Sequence, residues 1–197
     1  MKLNVFSYVT NTKVEGPGIR SCIWVQGCSK QCAGCFSPYT WKKNTAHNYD
    51  IDTLFNKITE NQYIEGITIS GGEPFEQAEP VSRIVKKAKA KKLSVIILTG
   101  KTDEEIFNSE NTFYKEIIDN VDVLKTGPFD AEKIDYTYHL KGSENQKLHF
   151  FTDIYCLDDF LIRKNEIELR ILENGSILQN GTPQALEKSQ LGVTKIL

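Results

Sequence analysis

No stretch of this 197-residue chain is apolar for long enough to cross a membrane, and its opening, MKLNVFSYVT, holds one lysine and no apolar run of the kind a secretory leader needs. Proline and glycine are sparse, at 6 and 13 residues with no repeat, which argues against collagen-like and low-complexity chains. Charge of one sign is lacking too. The 24 Lys and Arg against 26 Asp and Glu leave a net charge of -2 and a pI near 6.0, so there is no basic field to grip a phosphate backbone. The one basic run, KKAKAKK at Lys86 to Lys92, reads as the solvated face and last turn of a helix. The expectation is a cytoplasmic protein, one domain spanning 1–197, with no nucleic-acid or membrane partner.

What remains is an ordinary soluble composition, 40% hydrophobic and 25% charged, arranged as alternating strands and helices. Ser21 to Gly27 (SCIWVQG) is β-branched and aromatic, which predicts a strand. Asp50 to Asn61 follows with a capping aspartate and Ile51, Leu54, Phe55 and Ile58 at helical spacing. Gly66 to Pro74 (GITISGGEP) reads as a strand broken by a diglycine and a proline, and PVSRIVKKAKAKK supplies the next helix. Leu93 to Gly100 (LSVIILTG) is the apolar run of a parallel strand covered on both faces. DEEIFNSENTFYKEIIDN and VDVLKTGPF predict a further helix and strand. This alternation points to an α/β fold with a parallel sheet and right-handed crossovers. Near the end, two alternating runs flank Asn174 and Gly175, a hairpin signal that would extend or cap the sheet edge.

Cysteine is scarce and unevenly placed. Three of the five sit in GCSKQCAGC, at Cys28, Cys32 and Cys35, in the loop after the first strand-like run. In a reducing compartment an odd cysteine count points to metal or redox chemistry rather than to a disulfide framework. A zinc ribbon needs a second pair of cysteines or paired histidines, whereas His47, His139 and His149 are scattered and Cys156 stands alone. Three thiolates in one tight loop suit a cubane iron–sulfur cluster with its fourth iron open, and structural zinc is the alternative. Cys22, within a strand, and Cys156, in an apolar helix-like stretch, read as small buried hydrophobes. Trp41 reads as structural.

These residues resemble the radical S-adenosylmethionine (SAM) enzymes, whose signature is this cysteine spacing. More narrowly, Gly16 to Trp41 (GPGIRSCIWVQGCSKQCAGCFSPYTW) and Ile69 to Gln77 (ISGGEPFEQ) are similar to the small activating proteins of the anaerobic ribonucleotide reductase, as are, more weakly, Gly127 to Phe129 and Gly142 to Gln146. The resemblance implies a partial (β/α)6-type barrel with a [4Fe-4S] cluster at the strand C-terminal mouth, held by Cys28, Cys32 and Cys35, and SAM chelating the open iron. It implies that Ser70, Gly71, Gly72 and Glu73 contact the methionine amino group, through backbone that a β-carbon would otherwise keep away. Thr99 is expected at the ribose or carboxylate of SAM, or as a simple cap, and Phe36 near the adenine or in the core. Gly16, Pro17, Gly18 and Arg20 are expected beside the cluster as partner contacts, or else as a tight turn with a surface arginine. The chain departs from the activators at Glu15 and Ser37, where they carry aspartate and asparagine, and at Lys125 and Thr126, where an acidic residue is usual.

The activity implied is reductive cleavage of SAM to methionine and a 5'-deoxyadenosyl radical, which takes a hydrogen from a glycine of the partner. That partner would be anaerobic ribonucleotide reductase or another glycyl radical protein, with electrons from a low-potential donor such as flavodoxin or ferredoxin. The alternatives are a radical SAM enzyme acting on a peptide or small molecule and, from another class, an iron–sulfur electron carrier. The missing fourth cysteine weighs against the carrier.

Overall fold

The computed structural model describes residues 1–162, 164–171, 175, 177–188 and 195–196. Its main sheet has seven strands in the order β3 (Asn48–Asp50), β1 (Lys2–Thr12), β2 (Arg20–Val25), β4 (Gly66–Gly71), β5 (Ser94–Leu98), β6 (Val123–Thr126) and β7 (Lys147–Phe150). The central four, β2, β4, β5 and β6, are mutually parallel, as their near-continuous apolar runs predict. The flanking strands run antiparallel: β1 on β2, β3 on β1 and β7 on β6. The α/β class stands, with a parallel centre and antiparallel margins.

Because side chains alternate across a strand, the parallel register sorts residues into two rows. One row, Ile23, Ile69, Ile97 and Leu124, faces α1 (Ile51–Ile58), α2 (Ala78–Ala90) and the later helices within the main core. The other, Cys22, Thr68, Ile96 and Val123, faces away from them. Each helix is set by local chemistry. Asp50 caps α1, accepting from the backbone N–H groups of Asp52 and Thr53. In α2 the buried stripe is Val81, Ile84, Val85 and Ala88, while Lys86, Lys87 and Lys89 pair with Glu116, Asp52 and Asp122. The basic run is therefore a paired helix face. The single helix expected over 103–120 is two, α3 (Asp103–Phe107) and α4 (Thr112–Ile118). Asn108 ends the first and the Asn111 side chain caps the second, the competition with the helix backbone that such short polar side chains offer.

The C-terminal hairpin forms, with β8 (Ile167–Ile171) antiparallel to β9 (Ile177–Gly181), but it does not extend the edge of the main sheet. Of its expected turn, Asn174 lies outside the described residues, and Gly175 has φ +76°. With β10 (Lys195–Ile196) the hairpin forms a separate three-stranded sheet over the helix-free face. Leu178 packs there with Val9, Cys22 and Trp24, and Asn180 Nδ2 donates to Thr12 Oγ1 at 3.2 Å and Glu15 Oε1 at 3.1 Å. Among the described residues no helix is long and apolar enough to cross a membrane.

Candidate active site at the strand C-terminal mouth

The parallel strands all point their C-terminal ends at one hollow on the helix-free face. Its wall includes Trp24 of β2, Ser70 and Gly71 of β4, Leu98 of β5 and Lys125 of β6, together with Gly72, Glu73, Thr99, Gly100 and Gly127 just beyond the strands. Cys28, Cys32, Cys35 and Phe36 line the same hollow, as do Thr182 and Leu186 from beyond the hairpin. Every residue expected to hold the cluster or SAM thus opens on one space.

The cysteine loop is shaped by its own backbone. Gly27 N donates to Thr40 O at 2.7 Å and Cys28 N to Trp41 O at 3.0 Å, so the returning chain closes the loop behind the thiols. Gly34 at φ +73° and Gln31 at φ +44° supply the left-handed turns that bend three cysteines toward one side. All three thiols are free and half-buried. Burial pushes the Cys28 thiol up, and the backbone N–H groups of Gln31 and Lys30 partly offset that by stabilising its thiolate.

Three half-buried thiols on one loop suit a cubane with one iron left open. Thiolates on one zinc, each about 2.3 Å from it, must crowd together, whereas cubane ligands sit on different irons and stand farther apart. Among the described residues no fourth cysteine lines the hollow: Cys22 is buried on the sheet, and Cys156 is exposed ahead of a 3₁₀ turn at Leu157–Phe160. The expectation that Cys156 is a buried hydrophobe is therefore corrected.

The diglycine turn is closely packed against the chain's own backbone. Gly71 has φ +95°, and a β-carbon there would run into the backbone of Trp24 and Val25; one on Gly72 would run into the carbonyl of Gly27. The bare backbone at Gly71 and Gly72 makes room for the chain's own cysteine loop. Gly72 N donates to Val25 O and Glu73 N to Gly27 O, both at 2.8 Å. Glu73 is 1% exposed, and burial raises its pKa against the donors Thr99 Oγ1, Phe75 N and Gly100 N. Phe36 packs against Phe129, ring centroids 5.3 Å apart, and against Tyr136 at 6.2 Å.

Gly16, Pro17 and Gly18 are placed elsewhere. They precede β2 at its N-terminal end and line a separate hollow with Glu65, His139 and Asp159, while Val14 and Glu15 line the cysteine hollow. Arg20 is fully buried, its guanidinium donating to Thr68 Oγ1, Ser94 Oγ, Tyr155 Oη and the carbonyls of Pro17, Ile67 and Ser94. Its expected partner contact is corrected, since no donor is left at the surface.

Residues 14–149 match the family described as a 4Fe-4S single cluster domain. The anaerobic ribonucleoside-triphosphate reductase-activating protein of Vibrio cholerae is 30% identical, over 76% of this chain and 99% of its own length. The chain belongs to this family of activating proteins. The family member from Enterobacteria phage T4 is 32% identical over 71% of this chain and 89% of its own. A pyruvate formate-lyase-activating enzyme from Staphylococcus epidermidis is 28% identical over 81% of this chain and 64% of its own. The expected cofactors, a [4Fe-4S] cluster and SAM, accord with membership in this family.

Gly142, Gln146, Lys125 and Glu15, to which the sequence reading assigned no role, also line the hollow. Gly142 to Gln146 is knitted to Gly127 and Pro128: Gln146 Nε2 donates to Gly127 O at 3.1 Å, Asn145 Nδ2 to Pro128 O at 2.8 Å, and Gly142 N to Gln146 Oε1 at 2.8 Å. A side chain on Gly142 would press on Phe129 and Phe36. Lys125 and Glu15 are buried ionisable groups on the wall. Burial lowers the Lys125 ammonium to about 8 against the charges of Glu73, Cys32 and Cys35, and raises the Glu15 carboxyl to about 8.

Proposed function

We propose that the chain is a radical SAM activating enzyme that generates a glycyl radical on an anaerobic ribonucleoside-triphosphate reductase. The observation that carries this reading is the single hollow joining Cys28, Cys32 and Cys35 to the Ser70–Glu73 turn at the parallel strand ends. When bound there, a [4Fe-4S] cluster and SAM would supply a one-electron reductive cleavage and a hydrogen-abstracting equivalent. The chain's own residues do the rest. Cys28, Cys32 and Cys35 would anchor three irons, Glu73 would receive the amino group of the methionyl end, and Phe36 with Phe129 would shield the hollow from water on one side. The sheet is read as the open portion of a partial (β/α)6-type barrel within one domain over 1–197, acting in the cytoplasm with a low-potential donor such as flavodoxin or ferredoxin.

The test is electron paramagnetic resonance of the reduced protein mixed with SAM and a candidate reductase. The expected result is a doublet organic radical, split by the remaining glycine α-hydrogen, with about one SAM consumed per radical. Replacing the partner's radical-bearing glycine by alanine should abolish it. A signal surviving that replacement, or SAM cleavage with no radical on any glycyl radical partner, would instead favour an enzyme acting on a peptide or small molecule. An iron–sulfur carrier would consume no SAM.

A further inference from the structure

Three lysines line the hollow, and the chain partners two of them. Lys30 Nζ lies 2.8 Å from Glu105 Oε1, and Lys141 Nζ lies 3.0 Å from Asp135 Oδ2. Lys125 differs. It projects from β6 with 7% of its surface exposed, and among the described residues its ammonium makes one long hydrogen bond, 3.3 Å to the Thr99 carbonyl, and no ion pair. An ammonium carries three N–H donors. Most of the hydrogen-bonding capacity of a buried cation is therefore left facing the hollow, and such a group persists only where something compensates its charge.

Glu73 is its counterpart across Thr99. Thr99 Oγ1 donates to Glu73 Oε1 at 2.7 Å, while the Thr99 carbonyl accepts from Lys125. One residue thus fixes a carboxylate and an ammonium on the same wall, and the two stay beyond the 4.0 Å of an ion pair. Opposite charges that had collapsed onto each other would need no third party. Held apart on one hollow, they form the complement of a molecule that bears an ammonium and a carboxylate on one carbon.

We propose that Lys125 binds the α-carboxylate of the methionyl end of SAM, opposite the amino group received by Glu73, so that the pair reads the zwitterion as a unit. This rests on the functional reading above. A carboxylate has two oxygens with about four acceptor positions, so one oxygen is free to meet iron while the other accepts from Lys125. Lys125 lines the same hollow as Cys32 and Cys35, so its ammonium opens on the space in which that carboxylate would have to lie.

The experiment compares SAM with its decarboxylated analogue, the same sulfonium without the carboxylate. Calorimetry on anaerobically reconstituted wild type, Lys125→Met and Lys125→Gln gives the affinities, with iron and sulfide content and far-ultraviolet circular dichroism measured alongside. Loss of a charged hydrogen bond should weaken SAM about ten- to hundred-fold in Lys125→Met and leave the analogue near its wild-type affinity, shrinking the preference for SAM by that factor. Lys125→Gln keeps a donor and similar bulk without the charge, and carries the same comparison if the methionine variant loses its cluster. Equal weakening of both ligands would make Lys125 only a wall residue and overturn the proposal, as would unchanged binding of both. Wild type that binds SAM with an unshifted preference in the variants overturns the Lys125 assignment alone. Wild type that holds its cluster and binds no SAM overturns the functional reading with it.

Discussion

Gly72 packs its bare Cα against the carbonyl of Gly27, so close that a β-carbon there would lie under 3.0 Å from that oxygen. The contact joins the turn after β4 to the residue before the first cysteine of the loop. Neither atom is the far end of a flexible side chain, so neither can step aside cheaply. Gly72→Ala should therefore displace the cysteine loop and lower iron content after reconstitution as well as SAM affinity. Gly100→Ala, whose β-carbon would meet nothing nearer than Glu73 Oε2 at 3.5 Å, should keep a full cluster. Full iron content in Gly72→Ala would show that the loop is not set by this contact.

The cysteines divide by position. Cys28→Ala, Cys32→Ala and Cys35→Ala each remove a thiol from the hollow and should abolish the visible absorption of the cluster together with SAM cleavage. Cys156→Ala, at an exposed site outside the hollow, should spare both. Cys22→Ala should also keep the cluster, but it empties volume beside Trp24, Val9 and Leu178 and should cost about 1 kcal/mol in a denaturant melt. A complete cubane in Cys32→Ala would break the assignment.

Arg20 tests the role of the N-terminal end of the strands. Its guanidinium reaches six acceptors spread over the loop at Pro17, β4, β5 and Tyr155, and the planar fork of arginine spans them where the point-like ammonium of lysine does not. Arg20→Lys should destabilise the fold by about 3 kcal/mol, within the range for breaking a buried charged network, and Tyr155→Phe by about 1 kcal/mol. Urea melts of the reconstituted protein measure both. If Arg20→Lys instead folds with wild-type stability and loses only radical transfer to the partner, the surface role returns.

The contrast between Arg20 and Ile97 shows where the sequence was readable. Ile97 sits in an apolar run whose only sensible home is a strand buried on both faces, and β2, β4, β5 and β6, with α1 and α2, were legible for that reason. The cysteine loop was legible from its spacing, and the Ser70–Glu73 turn from its diglycine and proline, with a role only by resemblance. Arg20 follows Gly-Pro-Gly and looks like a surface turn; only the register of β2 on β4 reveals that its six acceptors are internal. Lys125 and Glu15 share the difficulty, since a single charge is read as solvent-facing unless tertiary packing is known. The strand β1 was missed because Asn4, Ser7, Thr10 and Asn11 dilute its apolar alternation, and β7 because four residues carry too little pattern.

Glu15 gives the protein a pH dependence whose sign follows from burial. Its carboxyl is 8% exposed, and its pKa is raised from 4.5 to about 8, mainly by loss of water, with the Asn180 hydrogen bond opposing. Between those values the folded chain keeps a proton on Glu15 that the unfolded chain has released. The folded state then binds more protons, so this group's contribution is fully present below pH 4.5 and is lost as pH rises through about 8. Glu15→Gln keeps the size and an acceptor for Asn180 Nδ2 and cannot ionise. Relative to Glu15→Gln, wild type should lose stability with a slope approaching about 1.4 kcal/mol per pH unit across that window, and at pH 9 the variant should be the more stable by roughly 3 to 5 kcal/mol. Comparing the two proteins at matched pH cancels every other titrating group. Urea melts at pH 5, 7 and 9 supply the numbers, and a wild-type-minus-variant difference that stays flat across them would mean that Glu15 is not held neutral beside the hollow.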